Sequence, residues 1–534
     1  MSVTKGEMRW AWKWALVIVG LTCLPYLYAH FSTPPDRFYT GLLVNPYDSN
    51  SYLAKMRQGM RGEWLFHLPY TSEDHPGAFI LTFYLLLGHI SSLLSLSPVL
   101  VFHLARAGCG LFLLLTVYRF LGLFLEDVGE RRMAFLLIGL SSGLGFLAPG
   151  AASGADLQPD IYMPEAITFY AIFTNPHFPL AMGLMLLIFA QVAGPEEESR
   201  HWKRSLLGGL FSMLLAFVLP FCLFSVAAAL GLMIVWRWAE ERRFPWKEAL
   251  RAGCAGLGAA PVLFYDYYVY NFNPALRDWS AQNITPSPPP WRYLLGYGLV
   301  LALALAGVIY AARCQKEKNR LLLAWVLSAP FLLYIPFSLQ RRLITGLHVP
   351  LAILAAVGLS RYISSTRLRK ALVALTMPTN LFLLVIFTLG ASGHGYPFYL
   401  HIDEKRAMDW LRVEASPEEI VLAWPGEATA PGAAPFPGTA LFIPVWAGNR
   451  VLYGHPFETV KAGEKYAEAH AFFEEKTTAA ERERILRENG IDYVFFGPQE
   501  RKSGADLSGL PFLERVYAGG EVEILRALPE VQGT

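Results

Sequence analysis

Charge is what this chain has little of. Only 16% of its 534 residues are Asp, Glu, Lys or Arg, against about 25% in a soluble domain. Its net charge of +2 gives no electrostatic case for a nucleic-acid partner. Cysteine is scarce too. Cys23, Cys109, Cys222, Cys254 and Cys314 are all there is, and no spacing among them fits a disulfide framework or a zinc site. A cleavable leader is not expected either. Lys5, Arg9 and Lys13 introduce an apolar run of roughly Trp14–Phe31, but no small-residue cleavage site follows it. That run reads as an uncleaved first span.

Apolar sequence fills the space that charge leaves. Runs at residues 12–31, 77–97, 98–125, 133–149, 176–194, 205–219, 221–238, 249–270, 291–312, 320–337, 348–362 and 371–391 predict a polytopic α-helical membrane protein of about 11–13 transmembrane helices. The short connections Glu126–Arg132, Glu196–Arg204, Arg237–Lys247, Arg313–Arg320 and Arg361–Lys370 are basic. Such loops mark the cytoplasmic side. Connection Gly150–Asn175 has no Lys or Arg, and Asn271–Pro290 has only Arg277; both are expected outside. With an inside N-terminus, the basic loops come out on the inner side only if one early run fails to cross. Run 77–97, with His89, Ser91, Ser92 and Ser95 in its second half, is expected to be re-entrant or in-plane. Pro220 is expected to split residues 205–238 into two helices. Gly139 and Gly143 have a small-xxx-small spacing that suits close helix approach.

The composition changes near Ser392. Charges become frequent and long apolar runs stop. "EIVLAW", "ALFIPV", "YVFFG" and "VEILRAL" read as strands, and "DEKRAMDWLRV" and "TAAERERILRENG" as helices. The expected organisation is a membrane domain over 1–391 and an extracytoplasmic α/β domain over 392–534. Loop Ala428–Pro437, rich in Pro, Gly and Ala, is expected to be mobile.

Between the first two runs lies an outer loop, 32–76, containing "NPYDSNSYLAKMRQGMRGEW" from Asn45 to Trp64. At helical spacing Tyr52, Leu53, Met56 and Met60 share a side, and Lys55, Arg57, Gln58 and Arg61 cover the others. This is the pattern of an amphipathic helix lying in the membrane interface. Asp48 stands at its start, where the helix dipole favours an ionised carboxylate. The plainer reading of Asp48 is an N-cap.

Asp48, the helix Ser49–Arg61, His75-Pro76 opening the next apolar run, "NPHFPL" and "QRRLITGLHVP" together resemble the GT-C superfamily of membrane glycosyltransferases, in particular its mannosyltransferase-like and aminoarabinose-transferase-like branch. The resemblance covers most of residues 1–391. Many relatives have two adjacent acidic residues in this loop, whereas here Asp48 is followed by Ser49. The resemblance implies a polyprenyl-phosphate sugar donor within the bilayer, a sugar acceptor whose identity stays open, and a site at the outer face of a prokaryotic plasma membrane. Asp48 would be the general base. Arg341 and Arg342, basic residues on the outer side, would stabilise the departing phosphate, with headgroup anchoring as the plainer alternative. Lys55, Arg57, Glu73, Asp74, His75, Asp160, Glu165 and His177 are further site-lining candidates. Glu73, Asp74 and His75 form a polar cluster that could take a divalent metal ion, though without ligand spacing. Asp160 and Glu165 would otherwise be solvated loop charges. Arg106, inside an apolar run, is either functional or paired with a lipid phosphate. Two other readings compete: a lipid-linked-sugar transporter or flippase, and a non-catalytic scaffold. A transporter is expected to show internal repeats and midplane charge, and neither is evident.

Overall fold

The computed structural model describes residues 3–148, 157–194, 201–429 and 434–528. Parts of the connections 150–175, 196–204 and 428–437 thus lie outside the described residues. The apolar runs become helices because helix alone satisfies every backbone polar group within one segment. Among the described residues six are long and apolar enough to cross a bilayer: Lys5–Phe31, Pro98–Leu121, Cys222–Glu241, Pro290–Cys314, Gln340–Tyr362 and Thr366–Ser392. The chain is an integral membrane protein. Other expected spans are also helical, as at His177–Ala193, His201–Val218, Trp246–Phe272 and Lys316–Leu333. They are shorter, less apolar or more charged. Run 77–97 yields only the 12-residue helix Thr82–Leu93. That is about 18 Å at 1.5 Å per residue, well short of the ~30 Å hydrocarbon core.

The chain divides into two compact units, each discontinuous in sequence. One comprises Met1–Pro25, His103–Asp266 and Ile284–Phe387; the other comprises Tyr26–Phe102, Tyr267–Asn283 and Thr388–Thr534.

In the first unit, ion pairs join the basic connections to one another and to the N-terminal helix. Arg131 meets Glu7 at 2.9 Å, Lys318 meets Glu126 at 2.7 Å, Arg361 meets Glu130 at 3.2 Å and Arg320 meets Glu240 at 3.2 Å. The chain breaks around Pro220, between helices His201–Val218 and Cys222–Glu241. Gly143 sits so close to Gly296 that a Cβ would strike its carbonyl oxygen, and next to it Leu144 N donates to Leu295 O at 2.9 Å. Gly139 instead faces the Ile18 side chain. Arg106 is buried and donates to Thr22 Oγ1 and to the carbonyls of Ile172 and Phe173. A lipid phosphate is therefore not its partner. Those carbonyls end the helix Thr168–Thr174, where a cation is favoured.

In the second unit, a five-stranded sheet runs in the order Arg450–Val451, Ile420–Leu422, Tyr493–Phe496, Val522–Ala527, Leu513–Gly519. The first three strands are parallel, and the last two are antiparallel to their neighbours. Helices Ile402–Glu414, Ala462–Phe472 and Ala479–Glu488 accompany it. The expected strand in "ALFIPV" is instead the short helix Ile443–Trp446, with a 3-10 turn before it. Pro444 lies in the first helical turn, where its missing N–H costs nothing. Every residue of that stretch is buried, so no alternation marked it as strand or helix. The first loop belongs to this unit. Its strand Arg37–Tyr39 pairs antiparallel with Tyr399–His401. Its helix Pro46–Met60 lies against Thr82–Leu93 so closely that a Cβ on Gly59 would strike Leu85 O, and one on Gly88 would strike Met56 O.

Candidate active site

Asp48 lies in the first turn of helix Pro46–Met60 but does not cap it. The cap is Asn45, at φ 42°. Asn45 Oδ1 accepts the Asp48 N–H at 3.4 Å, and its Nδ2 donates to Asp48 Oδ2 at 2.6 Å. The expected N-cap role thus passes to Asn45, because Pro46 takes the first helical position. Asp48 keeps a carboxylate 37% exposed, with Oδ1 3.8 Å from His455 Nε2. His455 is 2% exposed and was not singled out in the sequence, although it stands in the aromatic and polar "GHPFETV" loop. Its Nδ1 accepts the backbone N–H groups of Phe457 at 3.1 Å and Glu458 at 3.2 Å. The rings of Tyr47 and Tyr70 flank it at 5.3 and 5.6 Å.

The remaining first-loop candidates are committed to partners. Lys55 is not on a water-facing side of the helix. It is 1% exposed and bridges to Glu458 Oε1 at 2.8 Å, while Ser51 Oγ donates to the same oxygen at 2.5 Å. Burial opposes ionisation of Glu458, yet Lys55, His455 and Ser51 hold its carboxyl below the ordinary range. Arg57 is brought down to about 10 by burial and by neighbouring Arg412 and Arg61. Glu73 pairs with Lys465 at 2.5 Å, and Asp74 with Arg450 at 2.9 Å. His75 Nε2 accepts the Leu68 N–H at 3.0 Å, and burial lowers its pKa. Among the described residues no three His, Cys, Asp or Glu side chains converge as metal ligands. Glu73, Asp74 and His75, the cluster that could take a divalent metal ion, each turn to a different partner. A cavity of about 130 Å³ opens beside these groups, lined in part by Gln58, Arg61, Glu63, His67, His75 and Arg450.

Asp160, Glu165, His177, Arg341 and Arg342 belong to the first unit. Asp160 and Glu165 are buried, not solvated. Asp160 Oδ2 accepts the Gly145 N–H at 2.9 Å. Burial pushes the Asp160 carboxyl up to about 6, against the hydrogen bonds that favour its charge. Glu165 is in electrostatic reach of Tyr162. His177 is buried, with its ring 4.1 Å from that of Phe178. Arg341 and Arg342 share the 3-10 turn Gln340–Ile344 but diverge. The Arg341 guanidinium lies 5.5 Å from the Tyr162 ring and that of Arg342 5.9 Å from Phe221. The Nε of each is buried without a hydrogen-bond partner.

No family model matches this chain, and no curated protein matches it. Among solved structures, it is similar to ArnT from Cupriavidus metallidurans bound to undecaprenyl phosphate: 14% identity, TM-score 0.51, covering 98% of this chain and 99% of that one. It is also similar to the arabinofuranosyltransferase AftD from Mycobacteria, with 15% identity and a TM-score of 0.53 over 100% of this chain. That match spans 42% of AftD. The likeness extends over the membrane helices and the C-terminal sheet region alike, so the chain has the fold of the GT-C glycosyltransferases.

Proposed function

We propose that this chain is a membrane glycosyltransferase that moves a sugar from a polyprenyl-phosphate donor to an acceptor hydroxyl at the outer face of the membrane. The observation that carries this reading is Asp48, a part-exposed carboxylate held by its own helix cap within a GT-C fold. Asp48 takes the acceptor proton as the hydroxyl oxygen attacks the anomeric carbon. The bond from that carbon to the phosphate oxygen breaks, and the lipid phosphate leaves with the electron pair. A single displacement of this kind inverts the anomeric centre. The leaving phosphate needs positive charge; of Arg341 and Arg342, which diverge from one 3-10 turn, one would supply it. The undecaprenyl phosphate bound to ArnT supports the donor class.

The orientation follows from charge and parity. The Glu7–Arg131 ion pair brings the N-terminal helix to the first basic connection. Two long apolar helices, Lys5–Phe31 and Pro98–Leu121, lie in the chain between those sites. An even number of crossings agrees with a helix Thr82–Leu93 that does not traverse. With the basic connections inside, this count supports a reading in which the first loop and residues 392–534 are outside.

Asp48→Asn tests the reading. Asparagine can still accept from Asn45 but is not a base. Transfer from a panel of undecaprenyl-phosphoryl pentoses and hexoses, read as released undecaprenyl phosphate, is expected to fall by about 10²-fold or more, with the thermal midpoint unchanged. Equal turnover by both proteins would refute the assignment.

A further inference from the structure

The loop Gly454–Thr459 holds one imidazole in a fixed tautomer. Both backbone N–H groups that reach His455 donate to Nδ1, from Phe457 and Glu458. In the neutral ring the proton therefore resides on Nε2. The loop is rigid around it: Gly454 N and His455 N both donate to Thr459 Oγ1, and Thr459 N donates back to His455 O at 3.0 Å. Nε2 is buried and has no hydrogen-bond partner. A buried donor left unsatisfied is costly. A carboxylate oxygen, Asp48 Oδ1, lies 3.8 Å from it. That gap is longer than a hydrogen bond. Links of this kind often tighten only when substrate is bound.

We infer that His455 is a positioning residue for Asp48: its Nε2–H orients the carboxylate and favours its charged form, leaving Oδ2, already steered by Asn45, for the acceptor proton. This rests on the proposed role of Asp48 and adds a residue from the C-terminal region, 407 positions away in sequence from Asp48, to the same machinery. Other charged or titratable groups around the pair are Lys55 on the Asp48 helix, Glu458 on the His455 loop, and the phenols of Tyr47 and Tyr70. Lys55 and Glu458 pair at 2.8 Å, and His455 also acts on Glu458, so the His455–Asp48 contact is read at Asp48 itself.

Two substitutions separate holding the loop from orienting Asp48. His455→Asn keeps an oxygen near the Nδ1 position to accept from Phe457 and Glu458, but nothing reaches Asp48. His455→Gln keeps an N–H near the Nε2 position and loses the acceptor. In full-length protein in lipid nanodiscs, Asp48 is labelled with a water-soluble carbodiimide and glycine ethyl ester between pH 4 and 8, and quantified by peptide mass spectrometry. In His455→Asn the labelling midpoint is expected to move up by roughly half a pH unit or more. With the same donor panel, kcat is expected to fall about 10-fold at unchanged KM. His455→Gln is expected to keep both near wild type at a lower thermal midpoint. A His455→Asn protein identical to wild type in labelling and kcat would overturn the inference, leaving the ring a loop brace. The labelling arm needs no turnover. A wild type that consumes no donor, with the labelling shift still present, would sink the transferase reading while leaving the His455–Asp48 coupling standing.

Discussion

At the scale of single residues, burial sorts the charged groups into those that hold the fold and those left for chemistry. Lys55 and Glu458 are the clearest structural pair. Their removal from water is costly, and their mutual attraction with Ser51 offsets it. Lys55→Met strands a buried carboxylate and is expected to cost about 3–5 kcal/mol, measured as the loss in unfolding free energy. The double variant with Glu458→Gln is expected to recover most of it. Asp160 makes the opposite kind of statement. Its carboxyl is raised to about 6 in the folded protein, from a reference near 3.9 in an unfolded chain. Folded protein then binds the proton more tightly than unfolded protein. The stability this group contributes is present below pH ~4 and is lost as pH rises through about 6. Asp160→Asn keeps an acceptor for the Gly145 N–H and cannot ionise. It is expected to flatten the dependence of the thermal midpoint between pH 4 and 7; an unchanged slope would show that folding does not shift the Asp160 carboxyl.

At the scale of elements, the helix carrying Asp48 is positioned by backbone contact rather than by its amphipathic face. Gly59 and Gly88 let Pro46–Met60 and Thr82–Leu93 touch carbonyl to Cα. Tyr52 and Tyr84 stack at 4.3 Å along the same seam. Gly59→Leu is expected to push the helices apart and lower the thermal midpoint by several degrees. It should also raise KM or lower kcat through displacement of Asp48, since a shift of about 1 Å in a reacting group can cost 10²-fold. A variant with wild-type melting and turnover would show that the seam is dispensable. The period of Pro46–Met60 was readable as helical, but its environment was not. Lys55 and Gln58 look solvent-facing in sequence, yet both are buried, because Glu458 and the His67 backbone supply their partners from elsewhere in the chain.

At the scale of the whole molecule, the proposed topology makes a direct prediction. A periplasmic-type reporter fused after Thr534 is expected to be active only outside, and one inserted between Gln315 and Lys316 only inside. The reverse pattern would move Asp48 to the cytoplasmic face and remove it from the proposed reaction. The ion pairs among the basic connections lead to the same expectation, since loops that touch one another share a side.

Sequence by itself determined the membrane class, the positions of the helices, the basic connections and the change of composition near Ser392. Each of these is written in local hydropathy and charge, which act over one helix length. The place of Asp48 at a helix start was also legible, because a helix start and the residues after it are neighbours in sequence. Only tertiary structure decided that Lys55 is buried, that Glu73 and Asp74 answer to Lys465 and Arg450, and that His455 faces Asp48. Those outcomes depend on contacts between residues up to several hundred positions apart. No periodicity encodes such a contact, because the partner's place is set by how the sheet, the first loop and the short helices pack.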